Sequence, residues 1–334
     1  MKKIFVAMLA LAAATACSND ELVSVNQEAI GFDNAFVNNS TRIVDPSFTT
    51  ETLNSFAVYG SVAAYNTAPA TIFDNVAVSG SGIRGTWEYE DQFVQYWITG
   101  GNYVFAAVAP STKGQASAFN PANSTVTLTN YENDGTTDLL YATYSVNNVA
   151  EGYNTKVAFD FKHALAKVKF SFTNAYNATN STIVVKNVKI NNAHSTGTVA
   201  LTGAADWTAW DATTPLTLEF GNIADASVTA EEKIAQEATA DSYKELFLIP
   251  TDTDYEYNVT YTVDLYIGDT CVETYDHEAT LTFAPAVGCS YNVAATIDYT
   301  NLDPDQTQNP IEFTVESLPT WTPSTPDPTV VLQN

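Results

Sequence analysis

Apolar and polar residues alternate along most of the chain, and this period of two constrains the fold more than any other feature. In residues 257–267 tyrosine, valine, leucine and isoleucine fill every second position, and residues 56–62, 157–161 and 166–172 show a similar alternation. Successive side chains of a β-strand point to opposite faces, so the alternation predicts strands with one buried and one solvated face. YVFAAVA, residues 103–109, is apolar throughout and is predicted to be a central strand covered on both faces.

Turn signals separate these runs, for example SGSG at 79–82, TGG at 99–101, NDG at 133–135 and IGD at 267–269. Many short strands separated by turns predict an all-β fold made of antiparallel β-sandwiches. One segment favours a helix instead. Thr229 and Glu232 have the spacing of a capping box, and AEEKIAQEAT, residues 230–239, is predicted to continue from them as a short helix.

The N-terminus has the layout of a signal for export. Lys2 and Lys3 precede an uncharged apolar run, residues 4–16, which is shorter than the roughly 20 residues of a spanning helix. The small residues directly before Cys17 resemble the lipobox of bacterial lipoproteins, which implies cleavage after residue 16 and a lipid on the Cys17 thiol. An ordinary signal peptide with a chance cysteine is the alternative. Asp20 and Glu21 resemble the surface-export signal of Bacteroidota lipoproteins.

The chain is strongly acidic, with 38 acidic and 13 basic residues and a formal net charge of −25. Such a charge repels nucleic acid and anionic membrane surfaces, so neither is predicted as a partner. The length of 334 residues exceeds the roughly 100–200 residues of a single domain, which favours two domains. A fresh set of strands is predicted to begin after AEGYNT, so we place the boundary near residue 153.

The inventory of reactive residues is poor. His163, His194 and His277 form no HxH or HExxH motif, and no CxxC is present, so neither a metal site nor a cofactor is predicted. His163 is expected to end a strand and to bond a backbone carbonyl. A glycosidase would need facing carboxylates, for which Glu88, Glu90 and Asp91 are candidates, but dispersed acids are usually solvated. We therefore predict no catalytic residues and no enzyme. Whether Cys271 and Cys289 pair is left open.

The aromatic run WEYEDQFVQYW, residues 87–97, has two interpretations. Exposed Trp and Tyr side chains would make stacking platforms for sugars. Alternatively, the run forms two core strands of a hairpin whose aromatic side chains pack inside, and this interpretation is favoured.

Several segments, in this order, resemble the fimbrillin family of Bacteroidota, whose members form type V pili. In the N-terminal half they are the lipobox ending at Cys17, EAIGFDNAF (28–36), STR (40–42), SFAVYGSV (55–62), TIFDNVAV (71–78), the run from Trp87 to Trp97, YVFAAVAP (103–110), DLLYA (138–142) and FKHALAKVKFSFTN (161–174). KNVKINNAHSTG (186–197), LFLIP (246–250) and VGCSYNV (287–293) follow with looser similarity.

The resemblance implies two tandem transthyretin-like β-sandwich domains and a subunit that polymerises by strand exchange for cell adhesion. It also implies a signal peptide (1–16), a propeptide with the first strand (17–42), an N-terminal domain (43–153) and a C-terminal domain (154–334). The expected location is the cell surface, first as an outer-membrane lipoprotein and then in the fimbrium. The implied partners are other fimbrial subunits in a head-to-tail polymer, outer-membrane lipid through Cys17, and a trypsin-like, Arg-specific protease.

Arg42 and Arg84 are the arginines of the chain. Arg42 follows the candidate first strand in a polar stretch, so a cut after it would free residues 17–42 and leave Ile43 as the new N-terminus. A cut after Arg84, in a predicted hairpin loop, would free no terminal strand.

The donor strand is predicted near the C-terminus, where prolines favour an extended chain. Its candidate residues are Ile311, Phe313, Val315, Leu318 and Trp321. TVVL, residues 329–332, is a rival donor. Two rival functions are also open: an uncleaved fimbrial anchor or accessory subunit, and a surface glycan-binding lipoprotein of polysaccharide uptake.

Overall fold

A computed structural model describes residues 25–37, 53–64, 67–80, 86–114, 117–223, 231–302 and 311–318. Nearly all of these residues lie in strands or in the turns between them, which confirms the all-β prediction. The strands in chain order are β1 (Val25–Ala29), β2 (Phe32–Val37), β3 (Ser55–Ala63), β4 (Ala70–Ser79), β5 (Tyr96–Ile98), β6 (Asn102–Ala109), β7 (Ser117–Asn120), β8 (Thr125–Glu132), β9 (Leu140–Val146), β10 (Val157–His163), β11 (Ala166–Asn174), β12 (Ser181–Leu201), β13 (Ala205–Gly221), β14 (Ile234–Ala235), β15 (Thr239–Asp241), β16 (Leu246–Leu248), β17 (Tyr255–Ile267), β18 (Thr270–Phe283), β19 (Ser290–Ile297) and β20 (Phe313–Leu318). The described part also holds two short 3-10 turns, Asp91–Phe93 and Ser111–Gly114.

The strands form four sheets. A six-stranded sheet has the order β2-β10-β9-β6-β3-β4, in which only the β2–β10 pair is parallel, and β1 pairs with β5 in a separate two-stranded sheet. A five-stranded sheet has the order β15-β11-β19-β20, with β16 also paired to β11. A seven-stranded sheet has the order β18-β17-β12-β8-β7, with β13 and β14 also paired to β12.

Three apolar clusters hold the sheets together. The first joins the five- and seven-stranded sheets, where the rings of Phe172 on β11 and Tyr261 on β17 lie 5.2 Å apart. The second lies between one face of the six-stranded sheet and the chain around β1 and β5, and contains Phe32 and Trp97. The third joins the opposite face of the six-stranded sheet to β8, β12 and β13, where Trp207 is buried.

The six-stranded sheet is therefore covered on both faces, and its central strands reflect this. YVFAAVA forms most of β6, between β3 and β9, and is buried at almost every position, as predicted. β3 is also buried along nearly its whole length. The alternation of β3 predicted one solvated face, but the second and third clusters pack against its two sides. The same prediction is wrong for β11, where Lys167 and Ser171 on the predicted solvated face are buried as well. The strict alternation of β10 is confirmed, since every second residue of that strand is buried.

Strands from the two sides of the predicted boundary at residue 153 pair with each other. β9 and β10 are neighbours in the six-stranded sheet, with Lys162 opposite Tyr141. The sequence had placed β10 among the strands of a C-terminal domain, whereas its pairing places it with the N-terminal ones. The division into tandem transthyretin-like domains stays a prediction.

The predicted helix at residues 230–239 is wrong where the structure describes it, from residue 231 onwards. Residues 231–233 are irregular, Ile234 and Ala235 form β14 beside β12, and Glu237 has a positive φ of 62°. Burial of Ile234 in the first cluster, together with a 2.9 Å hydrogen bond from Asn174 Nδ2 to the Ile234 carbonyl, overrides the local helix preference.

Candidate strand-exchange site

Residues 25–37, here called the opening segment, lie at the edge of the molecule's sheets. β1 pairs antiparallel with β5 alone, and Ile30 N donates to the Gln95 carbonyl at 2.8 Å. β2 then pairs with β10 as the outermost strand of the six-stranded sheet. Phe32 also forms a single antiparallel bridge with Trp87 on its other side. Apart from that bridge, each half of the opening segment has one strand partner, so its departure would break no pairing between the other strands.

The opening segment fills an apolar space that the rest of the chain lines. Ile30 is fully buried and Phe32 is 1% exposed. The Phe32 ring lies 5.6–6.1 Å, between centroids, from four other aromatic rings, those of Phe56, Phe73, Tyr89 and Phe159. We call the space occupied by Ile30 and Phe32, lined by these four rings and bordered by β10, the N-terminal slot.

Polar contacts fix the depth at which the opening segment enters the N-terminal slot. The Tyr89 hydroxyl donates a 2.6 Å hydrogen bond to the Ile30 carbonyl. Burial raises the pKa of Tyr89 to about 12, so the hydroxyl remains a donor at any physiological pH. On the other side, Val157 N donates to the Gly31 carbonyl at 2.8 Å. Both acceptors are backbone carbonyls of the opening segment, and any extended segment that replaced it would offer backbone carbonyls as well.

Loss of the opening segment would leave two kinds of unsatisfied surface. Val157, Ala158, Asp160 and Phe161 of β10 would lose their partners on β2 and present an open sheet edge. The aromatic rings of the N-terminal slot would lose the Ile30 and Phe32 side chains and face water. An extended strand with apolar side chains would satisfy both.

β20 carries most of the described donor candidates and lies at another sheet edge. It pairs antiparallel with β19 along six residue pairs and has no described strand on its other side. Ile311, just before it, is 4% exposed, and the Phe313 ring lies 5.7 Å from that of Phe170. Phe313 and Val315 are partly buried while Thr314 and Glu316 are exposed, so the predicted alternation of the donor is present.

Several predicted site residues lie outside the described residues. They are Cys17, Arg42, Ile43, Arg84, Trp321 and the rival donor at 329–332. Leu318 is the last residue of β20, opposite Ser290, but nothing is described of its side chain. Lipidation, cleavage and the extent of the donor therefore stay predictions.

The aromatic run at 87–97 packs into the core. Trp87 is 5% exposed and Trp97 is fully buried, which confirms the core interpretation of these two side chains. The predicted hairpin is wrong, because Trp87 bridges to Phe32 while β5 pairs with β1. Within the run, Phe93 and Tyr96 are the exposed aromatic side chains.

Other chemistry is sparse among the described residues. His163 ends β10, as predicted, and its Nδ1 contacts the buried Asp138 carboxylate. Cys271 and Cys289 are free thiols rather than a disulfide. Within the described ranges, no cluster of three or more His, Cys, Asp or Glu side chains is arranged to hold a metal ion. The same ranges contain no helix with the length and apolarity needed to cross a bilayer.

The sequence predicted the opening segment and the donor as the exchanging strands, but it did not predict which residues line the N-terminal slot. Phe56 and Phe159 belong to predicted alternating strands, so their burial was foreseeable. Nothing in a single sequence shows that Phe56 and Phe159 lie with Phe73 and Tyr89 around the ring of Phe32. The parallel pairing of β2 with β10 was also missed, since 120 or more residues separate the partners, as with Phe32 and Val157.

Comparison with known proteins agrees with this architecture. Residues 41–317 match the family described as fimbrillin-like. A fimbrial protein from Bacteroides vulgatus ATCC 8482 has a similar structure, with a TM-score of 0.53, 14% identity, and coverage of 86% of this chain and 99% of that one. A proposed cell adhesion protein from Bacteroides ovatus ATCC 8483 is also similar, with a TM-score of 0.50 and 18% identity. That match covers 91% of this chain and 100% of the other.

Comparison with curated proteins gives no match. The identities to the two solved structures are low, so those structures support the fold alone, whereas the family match covers most of the sequence. The chain belongs to the fimbrillin-like family.

Proposed function

We propose that this protein is a structural subunit of a fimbrium that serves cell adhesion at the bacterial surface. The observation that carries the proposal is the edge position of the opening segment, whose Ile30 and Phe32 fill a slot that a strand from another subunit is able to refill. The role requires no catalysis. It requires only a removable strand, an apolar slot and a donor.

In this proposal the protein is exported as a lipoprotein held to the outer membrane through Cys17. A trypsin-like protease then cuts after Arg42, and residues 17–42 leave with β1 and β2. The loss exposes the N-terminal slot and the edge of β10. A neighbouring subunit supplies an extended strand, with backbone hydrogen bonds for affinity and alternate side chains for register. Contacts of this head-to-tail kind do not close on themselves, so filaments result.

Arg42 is favoured over Arg84 because of what each cut would release. Residue 42 follows β2, so the fragment before it contains the whole opening segment. Arg84 lies between β4, which pairs with β3, and Trp87, which is buried. A cut there would separate packed parts of one apolar cluster, and it would not release the edge strand by itself.

Processing is tested with Arg42→Ala and the matched variant Arg84→Ala in cells that make fimbriae. N-terminal sequencing of wild-type and Arg84→Ala surface protein should give Ile43, and electron microscopy should show fimbriae. The Arg42→Ala chain should start at Cys17 and form none. A wild-type protein that starts at Cys17 alone would contradict the stalk role and favour the uncleaved anchor.

The donor is proposed to begin at Ile311 and to include Phe313, Val315, Leu318 and Trp321. Deletion of residues 311–334 should leave soluble monomers after processing, whereas deletion of residues 322–334 should leave polymerisation intact. Size-exclusion chromatography of the two processed chains separates these outcomes. If the shorter deletion also stops assembly, the donor is the rival segment at 329–332.

A further inference from the structure

The two ends of the described chain carry the same short pattern. Ile30-Gly31-Phe32 lies in the opening segment and Ile311-Glu312-Phe313 begins the donor. In each, the isoleucine is buried and the phenylalanine packs among aromatic rings. Phe32 meets the four rings of the N-terminal slot, and Phe313 lies 5.7–6.1 Å from the rings of Phe170, Phe172 and Tyr261.

The fit of Phe313 in its own subunit is the looser of the two. It is partly buried beside β19, at the outer edge of its sheet, whereas Phe32 is 1% exposed in the N-terminal slot. A donor that moved from β19 to the slot of a neighbour would therefore bury more of the Phe313 ring. Ile311 would change little, because both isoleucine positions are almost fully buried.

Gly31, the middle residue of the pattern in the opening segment, lies beside the Lys156 side chain, and this is a second, independent observation. A Cβ atom at position 31 would lie 3.4 Å from Cγ of Lys156 and 3.7 Å from its Cδ and Cε. Gly31 has no positive φ, so a larger residue is compatible with the backbone there. A glutamate at this position would project its carboxylate along the Lys156 side chain. Lys156 is exposed and makes no ion pair with any described residue.

We propose that the donor enters the N-terminal slot of a second copy of this chain in one register, with Ile311 replacing Ile30, Phe313 replacing Phe32 and Glu312 pairing with Lys156. The order isoleucine before phenylalanine then makes the donor run parallel to β10, as β2 does. The Ile311 carbonyl accepts the Tyr89 hydroxyl in place of the Ile30 carbonyl. This register rests on the strand exchange proposed above.

Disulfide trapping tests the register in the full chain. In a Cys271→Ser/Cys289→Ser background, Lys156→Cys with Glu312→Cys should give a ladder of covalent oligomers on non-reducing gels after processing. The matched control is Lys156→Cys with Thr314→Cys, because Thr314 is the next exposed residue of β20. The control should stay monomeric on the same gel, since its thiol would lie two residues away from position 31.

The possible failures are distinguishable. Filaments that give a ladder with the residue-314 pair, or with neither pair, would overturn the register while leaving strand exchange intact. Absence of filaments from processed wild-type protein would overturn strand exchange itself, and the register with it.

A charge exchange provides a test that needs no cysteine. Lys156→Glu and Glu312→Lys should each slow polymerisation roughly twofold to fivefold, the effect of losing one exposed ion pair. The double variant should recover the wild-type rate. Both residues are exposed in the structure, so the folding of each subunit is expected to survive. Additive slowing in the double variant would contradict the pairing.

Discussion

Phe32 packs against rings from four separate parts of the chain, and this makes it the central side chain of the N-terminal slot. Its centroid lies 5.7 Å from that of Phe73 and 5.6 Å from that of Tyr89, both at steep interplanar angles. Such edge-to-face contacts stabilise beyond the burial of apolar area alone. The same arrangement makes the slot costly to leave empty, which is the physical basis for the strand capture that we propose.

Replacement of Phe32 by alanine should destabilise the unprocessed chain. The cavity left among the aromatic rings should lower the free energy of unfolding by about 3–5 kcal/mol. Urea denaturation of the Arg42→Ala chain, with and without the substitution, measures the difference. Phe93→Ala is the control, because Phe93 is 39% exposed and should cost far less. Equal losses from both substitutions would show that Phe32 does not fill a packed slot.

Two histidines, the buried His194 and the half-buried His277, make stability depend on pH. Burial lowers the pKa of His194 and of His277, in each case against an opposing effect of a nearby Asp. The unfolded chain, with a histidine pKa of about 6.5, thus binds these protons more readily than the folded one. Stability should fall as the pH drops through about 6.5, and should level off below the lowered pKa values of the folded state.

Urea unfolding at pH 7.5 and at pH 5 measures this dependence. The His194→Gln/His277→Gln chain should lose less stability between the two pH values than wild type. Asp134 does not interfere, because hydrogen bonds from the backbone of Thr136 and from Lys113 help to hold its pKa at about 2 despite partial burial. If the double variant keeps the full dependence, the histidines are not its source.

At the scale of elements, β2 and β20 each lie at the end of a sheet, so each pairs with one strand where the strands inside the sheet pair with two or more. β2 is parallel to β10 and joined to it through an irregular register between Ala158 and Asp160. β20 has a regular antiparallel register with β19. β2 is held by β10, by the single bridge from Phe32 to Trp87 and by a few apolar side chains, whereas β20 is held by β19 and a few apolar side chains. Either can therefore leave while the sheets behind it stay paired.

A peptide of the opening segment should therefore compete with the donor. EAIGFDNAF, residues 28–36, added to the processed chain should slow polymerisation in proportion to its concentration, because it refills the N-terminal slot. Light scattering follows the rate. The control peptide carries Ile30→Ser and Phe32→Ser and should have little effect. Equal inhibition by both peptides would argue that apolar side chains do not direct the binding.

At the scale of the whole molecule, assembly must overcome repulsion between like charges. The chain has a formal net charge of −25, and Lys2 and Lys3 are among its few basic residues. Subunits with this charge repel one another over the Debye length, which is roughly 30 Å at 10 mM salt and 10 Å at 0.1 M. The apolar slot acts only at contact, so repulsion governs how often subunits meet.

Raising the salt concentration from about 10 mM to about 100 mM should speed polymerisation of the processed chain, because it screens this repulsion. Light scattering at a fixed protein concentration measures the initial rate. Sucrose of matched osmolality serves as the control and should not reproduce the effect. Slower assembly at higher salt would show that specific ion pairs outweigh the net charge.

The sequence by itself determined the fold class. Period-two alternation indicates a strand whatever its neighbours are, and in β10 and most of β17 it also predicted which residues are buried. The apolar run of β6 likewise identified a covered central strand. The sequence also contains the motifs that resemble the family and the two segments proposed for exchange.

Only the tertiary structure decided which strands meet. It paired β2 with β10 and β9 with β10, buried β3 on both faces, and turned residues 234–235 into a strand beside β12. It also brought Lys156 to Gly31, and with it the register proposed for the donor. Local patterns report the periodicity of a segment, whereas partners distant in the chain are selected by the burial that their contact achieves, and that burial exists only in the folded molecule.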